Sequence, residues 1–218
     1  MPLITSIEPQ KKRKNRFNIF LDEEFGFAAD ENVLLKYNLK ISQSLTQSQI
    51  EKLIKENELG KLMDQSLRFL SYRPRSEKEV VDYLIGKISQ KENIKYSQAK
   101  ESPLIKQVVL KLKKYKYLDD FEFANWLVRS RIRSKPQGLS LVKFDLEKKG
   151  IDDEIINSII AKYPDQTVLA KRAIEKKLAN WQKLPKGDFK KKIYQYLASR
   201  GFNFETIGEV FANLEKKH

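Results

Sequence analysis

The absence of certain residues already excludes several classes of function. No cysteine occurs among the 218 residues, so disulfide bonds, thiol catalysis and thiolate metal sites are excluded. The single histidine is the last residue, His218, where a frayed terminus is expected rather than a ligand. Neither zinc chemistry nor acid-base catalysis by histidine is therefore expected.

Long apolar runs are also missing. No apolar stretch reaches the roughly 18 residues that a transmembrane helix requires, and the N-terminal MPLITSIEPQ is not followed by the apolar core of a signal peptide. The sequence therefore predicts a cytoplasmic protein that does not enter the membrane.

Motifs for catalysis are lacking as well. There is no P-loop and no nucleophile–base pair. The pair Asp119-Asp120 has two interpretations, a paired-carboxylate active site or a helix start in which Asp119 is the N-cap and Glu122 completes a capping box. The helix cap is favoured because acidic residues at helix starts are stabilised by the helix dipole alone. We expect no enzyme activity, no catalytic residue, no cofactor and no metal.

Basic residues, by contrast, are in excess. Lys and Arg number 43 against 29 Asp and Glu, a net charge of +14. Residues 1–100 contribute 18 − 14 = +4 and residues 101–218 contribute 25 − 15 = +10. This asymmetry predicts a polyanionic or acidic partner for the C-terminal half, with nucleic acid as the first candidate. A membrane surface is less favoured because the basic residues lie among core-forming helices.

The first 30 residues differ from the rest. Apolar residues alternate from Phe17 to Leu21, Phe25-Gly26-Phe27 follows an acidic break, and Leu3–Ile7 is a third short candidate. This pattern predicts a small hairpin or a three-stranded sheet. The basic run Lys11–Lys14 falls in the connection, where it is either a charged turn that protects a sheet edge or a phosphate contact.

Helical periodicity dominates from Leu62 onward. Gly60 predicts a break before this helical region. Residues 87–101 are polar and without a pattern, which predicts a loop. In the helix after Asp119, the spacing predicts that Phe121, Ala124, Leu127 and Val128 face the core. In the last helix, which Asn203 caps, it predicts an inward face that includes Phe204.

An internal repeat organises this helical region. Pro136-x-Gly138 matches Pro185-x-Gly187, and Leu146 precedes Gly150 by the same four residues that separate Leu197 from Gly201. A period near 50 residues with three helices per unit predicts a mainly α fold of tandem three-helix repeats in an elongated, curved array, preceded by the small N-terminal β element. Chance matching of Gly and Leu is the alternative. The predicted domains are 1–60, the N-terminal element with linking helices, and three repeats at 61–116, 117–163 and 164–218.

Basic residues recur within the repeats. Arg129, Arg131, Arg133 and Lys135 alternate along one helix, so 129 and 133 share one stripe while 131 and 135 share another on nearly the opposite side. On the comparable helix of the next unit stand Lys171, Arg172, Lys176 and Lys177. A solvated face is the usual meaning of such charges, but their recurrence in two successive units favours binding.

Aromatic residues in the same region offer a second mode of binding. Bases could stack on Tyr115, Tyr117, Trp126, Trp181, Tyr194 or Tyr196. Most of these stand at core spacing, however, which favours packing within the helical units.

Several motifs together resemble the RecX family of regulatory proteins. They are Leu70-x-x-Arg73-x-Arg75-Ser76-x-x-Glu79 with Leu84, Tyr117-Leu118-Asp119-Asp120-x-x-Phe123-Ala124, Arg129-x-Arg131 with Pro136-x-Gly138, Lys149-Gly150-Ile151, and Arg200-Gly201-Phe202. The leader ITSIEPQKKRKNRFNIFLDEEFGF is also similar to that of RecX from low-GC Gram-positive bacteria. Members with this leader often carry a further repeat, whereas three units are evident here.

The resemblance implies a protein that binds the RecA filament on DNA and modulates its strand-exchange, ATPase and coprotease activities, with inhibition as the expected direction. We expect the chain to be a monomer whose partners are the RecA filament and single- or double-stranded DNA. The candidate RecA- or DNA-binding residues are Arg73, Arg75, Arg129, Arg131, Arg133, Lys135, Lys143, Lys171, Arg172 and Lys176. Two alternatives stay open: a general DNA-binding protein that acts without RecA, and a helical DNA-repair hydrolase that would depend on Asp119 or Asp120.

Overall fold

The chain is mainly helical with a small N-terminal sheet, as predicted. The computed structural model describes residues 1–11, 13–134, 136–163 and 165–215, with only the backbone of Arg13 and Lys14. Lys12, Lys135 and His218, about which the sequence made predictions, lie outside these ranges. The described elements are β1 (Ile4–Gln10), β2 (Arg13–Leu21), β3 (Glu24–Asp30), α1 (Glu31–Tyr37), α2 (Gln47–Ser71), α3 (Glu77–Glu92), α4 (Tyr96–Lys100), α5 (Pro103–Lys114), α6 (Asp120–Ser134), α7 (Leu139–Lys148), α8 (Asp153–Ile160), α9 (Thr167–Trp181), α10 (Lys186–Ser199) and α11 (Phe204–Glu215).

The three strands form one antiparallel sheet in the order β1-β2-β3. Alternation along the strands turns one face inward, where Ile4, Ile19 and Phe27 are buried. These side chains form a core with Val33 of α1 and Leu53 of α2. The predicted three-stranded element is therefore confirmed, and its core comes from the helices that follow it.

The turn between β2 and β3 holds two residues in a left-handed conformation. Asp22 has φ of 49° and Glu23 has φ of 71°. Positive φ at both positions is the geometry of a type I′ hairpin turn, in which Gly is strongly preferred at the second position. Asp22 contributes further, since its Oδ1 accepts a hydrogen bond from the Leu3 backbone N–H at 2.9 Å.

We expect Glu23→Gly to stabilise the protein by about 1 kcal/mol, because Gly removes the steric cost of the left-handed conformation. The matched control is Asp22→Gly, which relieves the same cost but loses the hydrogen bond to Leu3. Urea unfolding of the two variants measures the difference. Equal or lower stability of Glu23→Gly relative to the wild type would show that the turn is not strained.

Helix α2 crosses Gly60 without interruption, so the predicted break at this residue is wrong. Leu59 and Leu62 on either side are buried, which holds the helix together across the glycine. A Cβ at Gly60 would lie 3.0 Å from the Asp30 carboxylate, so the glycine permits close packing of α2 against the end of β3. Here tertiary contacts override the low helix propensity of glycine.

The loop predicted for residues 87–101 is wrong as well. Helix α3 continues to Glu92, and Tyr96–Lys100 form the short helix α4. Ile88 and Ala99 are buried, and the Ser89 hydroxyl donates to the Ile94 carbonyl at 2.6 Å. Two buried residues among so many polar ones are too few to produce a helical pattern in the sequence. Their burial nevertheless holds both helical segments against the rest of the fold.

The chain divides into two compact units. One comprises Met1–Tyr72 with Tyr83–Tyr115, and the other comprises Arg73–Asp82 with Lys116–His218. Within the first unit, Phe69 of α2 and Tyr83 of α3 stack their rings with centroids 4.2 Å apart. The predicted domain boundary at 60/61 falls inside α2, while those at 116/117 and 163/164 fall between helices and stay predictions.

The second compact unit contains two three-helix bundles. The core of α6, α7 and α8 includes Phe123, Leu146 and Ile156, and the core of α9, α10 and α11 includes Ile193 and Val210. Ile132 of α6 packs against both cores. The C-terminal end of α6 is therefore next to the bundle of α9, α10 and α11. Because the two bundles correspond to the second and third predicted repeats, they are called the second and third bundles.

Two aromatic residues are not where the spacing predicted them. Phe121, expected to face the core, is 39% exposed, and the ammonium of Lys162 lies 5.1 Å from its ring centroid. Phe123 fills the core in its place. Phe204, expected on the inward face of the last helix, is 77% exposed at the first position of α11. Both sit in the first turn of a helix, where a one-residue error in the predicted face changes burial.

The glycines of the repeat fall into two kinds. Gly150 and Gly201, which the spacing predicted to be equivalent, have φ of +74° and +80° just after α7 and α10 and so end the two helices in the same way. Gly138 and Gly187 are not equivalent, because Gly138 precedes α7 while Gly187 lies inside α10. A Cβ on Gly138 would lie 2.0 Å from the Gly201 carbonyl oxygen, whereas a Cβ on Gly187 would meet open space. The second and third bundles therefore touch backbone to backbone at Gly138.

Within the described ranges, no helix combines the length and apolarity that a membrane span requires.

Candidate interaction surface

The arginine row on α6 divides into an inner and an outer set, as its spacing indicates. Arg129 and Arg133 are exposed and form no ion pair with any described residue. They lie three and seven residues after Trp126, so the three side chains share one helix face. Arg131 points the other way, and its Nη2 contacts Asp145 Oδ2 of α7 at 2.9 Å. Of the three described cations of this row, the outer pair is the one available to a partner.

The two remaining candidates near α6 contribute less. Lys135 lies outside the described residues. Lys143 of α7 is half-exposed, and its Nζ is 3.9 Å from the Glu147 carboxylate one turn away. A surface pair of this kind contributes little to stability and leaves the ammonium accessible to solvent.

Arg73 is bound within the fold. Its guanidinium forms two hydrogen bonds with the Glu79 carboxylate, at 2.9 and 3.0 Å, and lies 5.4 Å from the ring centroid of Trp126. The Lys149 ammonium contacts the same carboxylate at 2.6 Å. Glu79 therefore joins the start of α3 to the end of α7. Arg73 binds the same carboxylate and so helps to hold this junction together.

The charge of Glu79 depends on these two cations. Burial by itself would raise the pKa of this carboxyl, but the hydrogen bonds from Arg73 and Lys149 outweigh it and lower the pKa from 4.5 to about 2. The stability that results is present above pH 4.5 and is lost as the pH falls toward 2.

We expect Glu79→Gln to destabilise the second compact unit by about 2 kcal/mol at neutral pH, because two cations lose their common partner. The difference from the wild type should shrink as the pH falls from 4.5 to about 2, where Glu79 itself becomes neutral. Urea unfolding over this pH range measures both effects. The control Glu147→Gln breaks only the exposed pair with Lys143 and should change stability by less than about 0.5 kcal/mol. A pH-independent difference for Glu79→Gln would refute the junction.

Arg75 lies in the same segment and is partly buried. Burial, together with the charge of Arg73 next to it, lowers the pKa of Arg75 below its ordinary value. Its surroundings are thus those of a group held within the protein, like those of Arg73.

The third bundle presents the other group of candidates. Lys171, Arg172 and Lys176 of α9 are exposed and form no ion pair with any described residue. Their neighbour Lys177 instead lies over the rings of Trp181 and Tyr196, 5.9 and 5.4 Å from the centroids. Three of the four predicted basic residues on this helix are therefore free to bind.

The basic residues of α6 and α9 are on equivalent helices but not at equivalent positions. Asp119 and Asp165 stand just before the two helices and accept from the N–H groups of Phe121 and Thr167, although the N-cap residue of α9 is Gln166. Counting from these two aspartates, Arg131 corresponds to Lys177, and both cations have partners within the protein. Arg129 and Arg133 correspond to Glu175 and Ala179. The exposed cations therefore form two different faces, not one repeated motif.

Asp119 and Asp120 both serve helix starts. Asp119 Oδ1 accepts from the N–H groups of Phe121 and Glu122, at 2.9 and 3.1 Å. Asp120 Oδ1 accepts from the Glu77 N–H at 2.8 Å and so caps the start of α3. The first contact was predicted, whereas the second joins residues 43 positions apart, which no local motif reveals.

The aromatic residues are mostly packed. Trp181 and Tyr196 meet edge to face at 5.4 Å, Tyr194 contacts Phe211, and Trp126 contacts Phe123. Tyr115 and Tyr117 are the exceptions among the predicted stacking candidates, at 59% and 57% exposure. Ring stacking on bases thus has two candidates, both between α5 and α6.

Family models match the chain along most of its length. The Regulatory protein RecX N-terminal domain matches residues 2–46, and the first, second and third three-helix domains of RecX match residues 63–91, 119–158 and 165–211. The Regulatory protein RecX of Bacillus subtilis (strain 168) is 36% identical over 217 residues, covering 99% of this chain and 78% of the relative. The chain belongs to the RecX family.

Solved RecX structures share the fold. A crystal structure of regulatory protein RecX has a TM-score of 0.71 at 25% identity and covers 96% of this chain and 98% of its own. The crystal structure of RecX from Lactobacillus salivarius has a TM-score of 0.60 at 26% identity, over 73% of this chain and 98% of its own. The tandem three-helix organisation predicted from the sequence is thus a property of this RecX chain.

Proposed function

We propose that this RecX-family chain regulates the RecA recombinase by binding the filament that RecA forms on DNA. Binding modulates, chiefly by inhibition, the strand-exchange, ATPase and coprotease activities of the filament. The observation that carries the proposal is the match of 99% of the chain to a regulatory protein RecX. No residue of the chain takes part in chemistry under this proposal.

The outer face of α6 is the proposed contact with RecA. Arg129 and Arg133 are exposed beside the half-buried ring of Trp126, and neither forms an ion pair with a residue that the structure describes. Arg and Trp are the residue types most enriched at the energetic centres of protein interfaces. The planar guanidinium also binds carboxylates through two parallel hydrogen bonds, so acidic side chains on the partner suit this face.

Regulation needs only a difference in affinity between two states of the filament. A protein that binds one state better than another shifts the population toward that state, to the extent of the difference in affinity. Bridging neighbouring RecA subunits, or blocking the groove that a second duplex enters, would give such a difference. The arginines at the outer face of α6 would supply the contacts with RecA.

The test is RecA ATPase activity on single-stranded DNA with and without this protein. Under the proposal, hydrolysis falls at ratios well below one chain per RecA, because each bound chain affects a filament of many subunits. Unchanged hydrolysis at every ratio would refute the proposal.

A general DNA-binding protein that acts without RecA is the second candidate. Lys171 and Lys176 of α9 favour it, because they are exposed, form no ion pair within the described ranges and are of the residue type that binds phosphates directly. This candidate predicts an affinity for DNA that RecA does not increase, together with inhibition of RecA only when DNA is saturated.

A further inference from the structure

Exposed cations that have no ion-pair partner among the described residues are concentrated on α9, α10 and the turn between them. From Thr167 to Ser199 there are nine basic and two acidic residues, or 9 − 2 = +7. Six of these cations are exposed and form neither an ion pair nor a ring contact with any described residue: Lys171, Arg172, Lys176, Lys183, Lys191 and Lys192. The last three were not among the candidates that the sequence indicated.

The positions of these cations follow from how the bundle packs. On α9, the buried residues Ala170 and Ile174 face the core, so Arg172 and Lys176 fall on the opposite, solvent side. Lys183 lies in the exposed turn between α9 and α10. On α10, Lys192 precedes Tyr196 by one turn, and Tyr196 packs against Trp181 of α9. Lys192 therefore lies at the edge of α10 next to α9, which extends the basic face from one helix to the other.

The chemistry of this face differs from that of the α6 face. Five of its six cations are lysines, which are depleted at protein interfaces. Lysine is a compact, hydrated point charge that suits the evenly spaced phosphates of a nucleic-acid backbone. The four rings of α9 and α10, those of Trp181, Phe189, Tyr194 and Tyr196, are buried or half-buried and packed on other side chains, so they offer bases no stacking platform.

We propose that the face formed by these six cations of α9, α10 and the turn between them binds the phosphate backbone of DNA, without base preference and without RecA. The inference deepens the proposed function, on which it rests for the identity of the polyanion. It separates two surfaces of the chain: the third bundle contacts DNA, and the outer face of α6 contacts RecA.

The test measures the affinity of the purified protein for fluorescent oligonucleotides by anisotropy, in the absence of RecA and over a range of salt concentrations. The variant replaces Lys171, Arg172 and Lys176 by Gln. Each lost phosphate contact lowers the slope of log affinity against log salt by about 0.7 for a single strand. We therefore expect the slope to fall by about 2 and the affinity to fall by at least 10-fold at low salt. Oligothymidylate and oligoadenylate of equal length should bind equally well.

A charge-matched control replaces Lys55, Lys106 and Lys114 by Gln. These lysines are exposed on α2 and α5 and form no ion pair with any described residue, so the control removes the same total charge from another part of the chain. It should retain most of the affinity and of the salt slope. Equal losses in the two triple variants would show that net charge, and not a site, attracts DNA, and would overturn the inference.

Two further outcomes also decide the question. An unchanged salt slope in the α9 variant, with loss of RecA inhibition instead, would make this face a protein contact and overturn the inference. Failure of the wild type to inhibit RecA, with the DNA result as expected, would refute the proposed function and leave the DNA face standing. The two failures are thus distinguishable.

Discussion

Replacement of Arg129 and Arg133 by Glu is expected to remove the effect of this RecX chain on RecA ATPase activity. Both guanidinium groups are exposed, and neither has an ion-pair partner in the described part of the chain. Loss of a charged contact at an interface costs about 2–5 kcal/mol, and reversal of two charges adds repulsion from the partner's carboxylates. We expect the concentration needed for half-maximal inhibition to rise at least about 100-fold.

The fold should not change in this double variant. Exposed residues without partners usually alter stability by less than about 0.5 kcal/mol, so helicity and urea unfolding should match the wild type. The control is Arg131→Gln on the same helix, which breaks the pair with Asp145, costs at most about 1 kcal/mol, and should leave inhibition intact. Full inhibition by the double variant would show that the outer face of α6 is not the RecA contact.

Gly138→Ala is expected to have the largest effect on stability. The new Cβ would lie 2.0 Å from the Gly201 carbonyl oxygen and 2.5 Å from the Phe202 nitrogen, both backbone atoms that cannot rotate away. The backbone at Gly138 has φ of −68°, which alanine adopts freely, so the cost is purely steric. The two bundles must separate, which also weakens the hydrogen bond from the Gly138 N–H to the Arg200 carbonyl at 2.8 Å. We expect a loss of about 3 kcal/mol or more.

Gly187→Ala is the matched control for this substitution. Both glycines follow a proline by two residues, but Gly187 lies inside α10 with open space where its Cβ would be. Alanine there should stabilise the helix by about 0.5–1 kcal/mol. Trp126 and Trp181 both belong to the second compact unit, so tryptophan fluorescence during urea unfolding measures both variants. Equal effects of the two substitutions would contradict the contact at Gly138.

Local patterns predicted the parts of this molecule that local forces determine. Alternation predicted the strand from Phe17 to Leu21, and the aspartate at the start of α6 was recognised as a cap. The alternate spacing of Arg129, Arg131 and Arg133 predicted two stripes, and Arg131 does lie apart from the others. Each of these inferences depends on residues within about one or two turns of one another.

Contacts between distant residues could not be predicted in this way. Ser76 and Glu79 have the spacing of a capping box, and the Ser76 hydroxyl does accept a hydrogen bond from the Glu79 N–H. The Glu79 carboxylate, however, binds Arg73 and Lys149, which is 70 positions away. Gly138 and Gly187 share a motif but have different surroundings. Tertiary packing, not propensity, decides such cases.

Under the proposed function, the chain recognises the RecA filament and not merely DNA. The most direct measurement compares the affinity of labelled wild-type protein for a RecA filament on single-stranded DNA with its affinity for the same DNA alone, at the same salt concentration. We expect tighter binding to the filament, and we expect the Arg129→Glu, Arg133→Glu variant to lose that advantage while keeping its affinity for bare DNA. Binding to the filament that is no tighter than binding to bare DNA would contradict it.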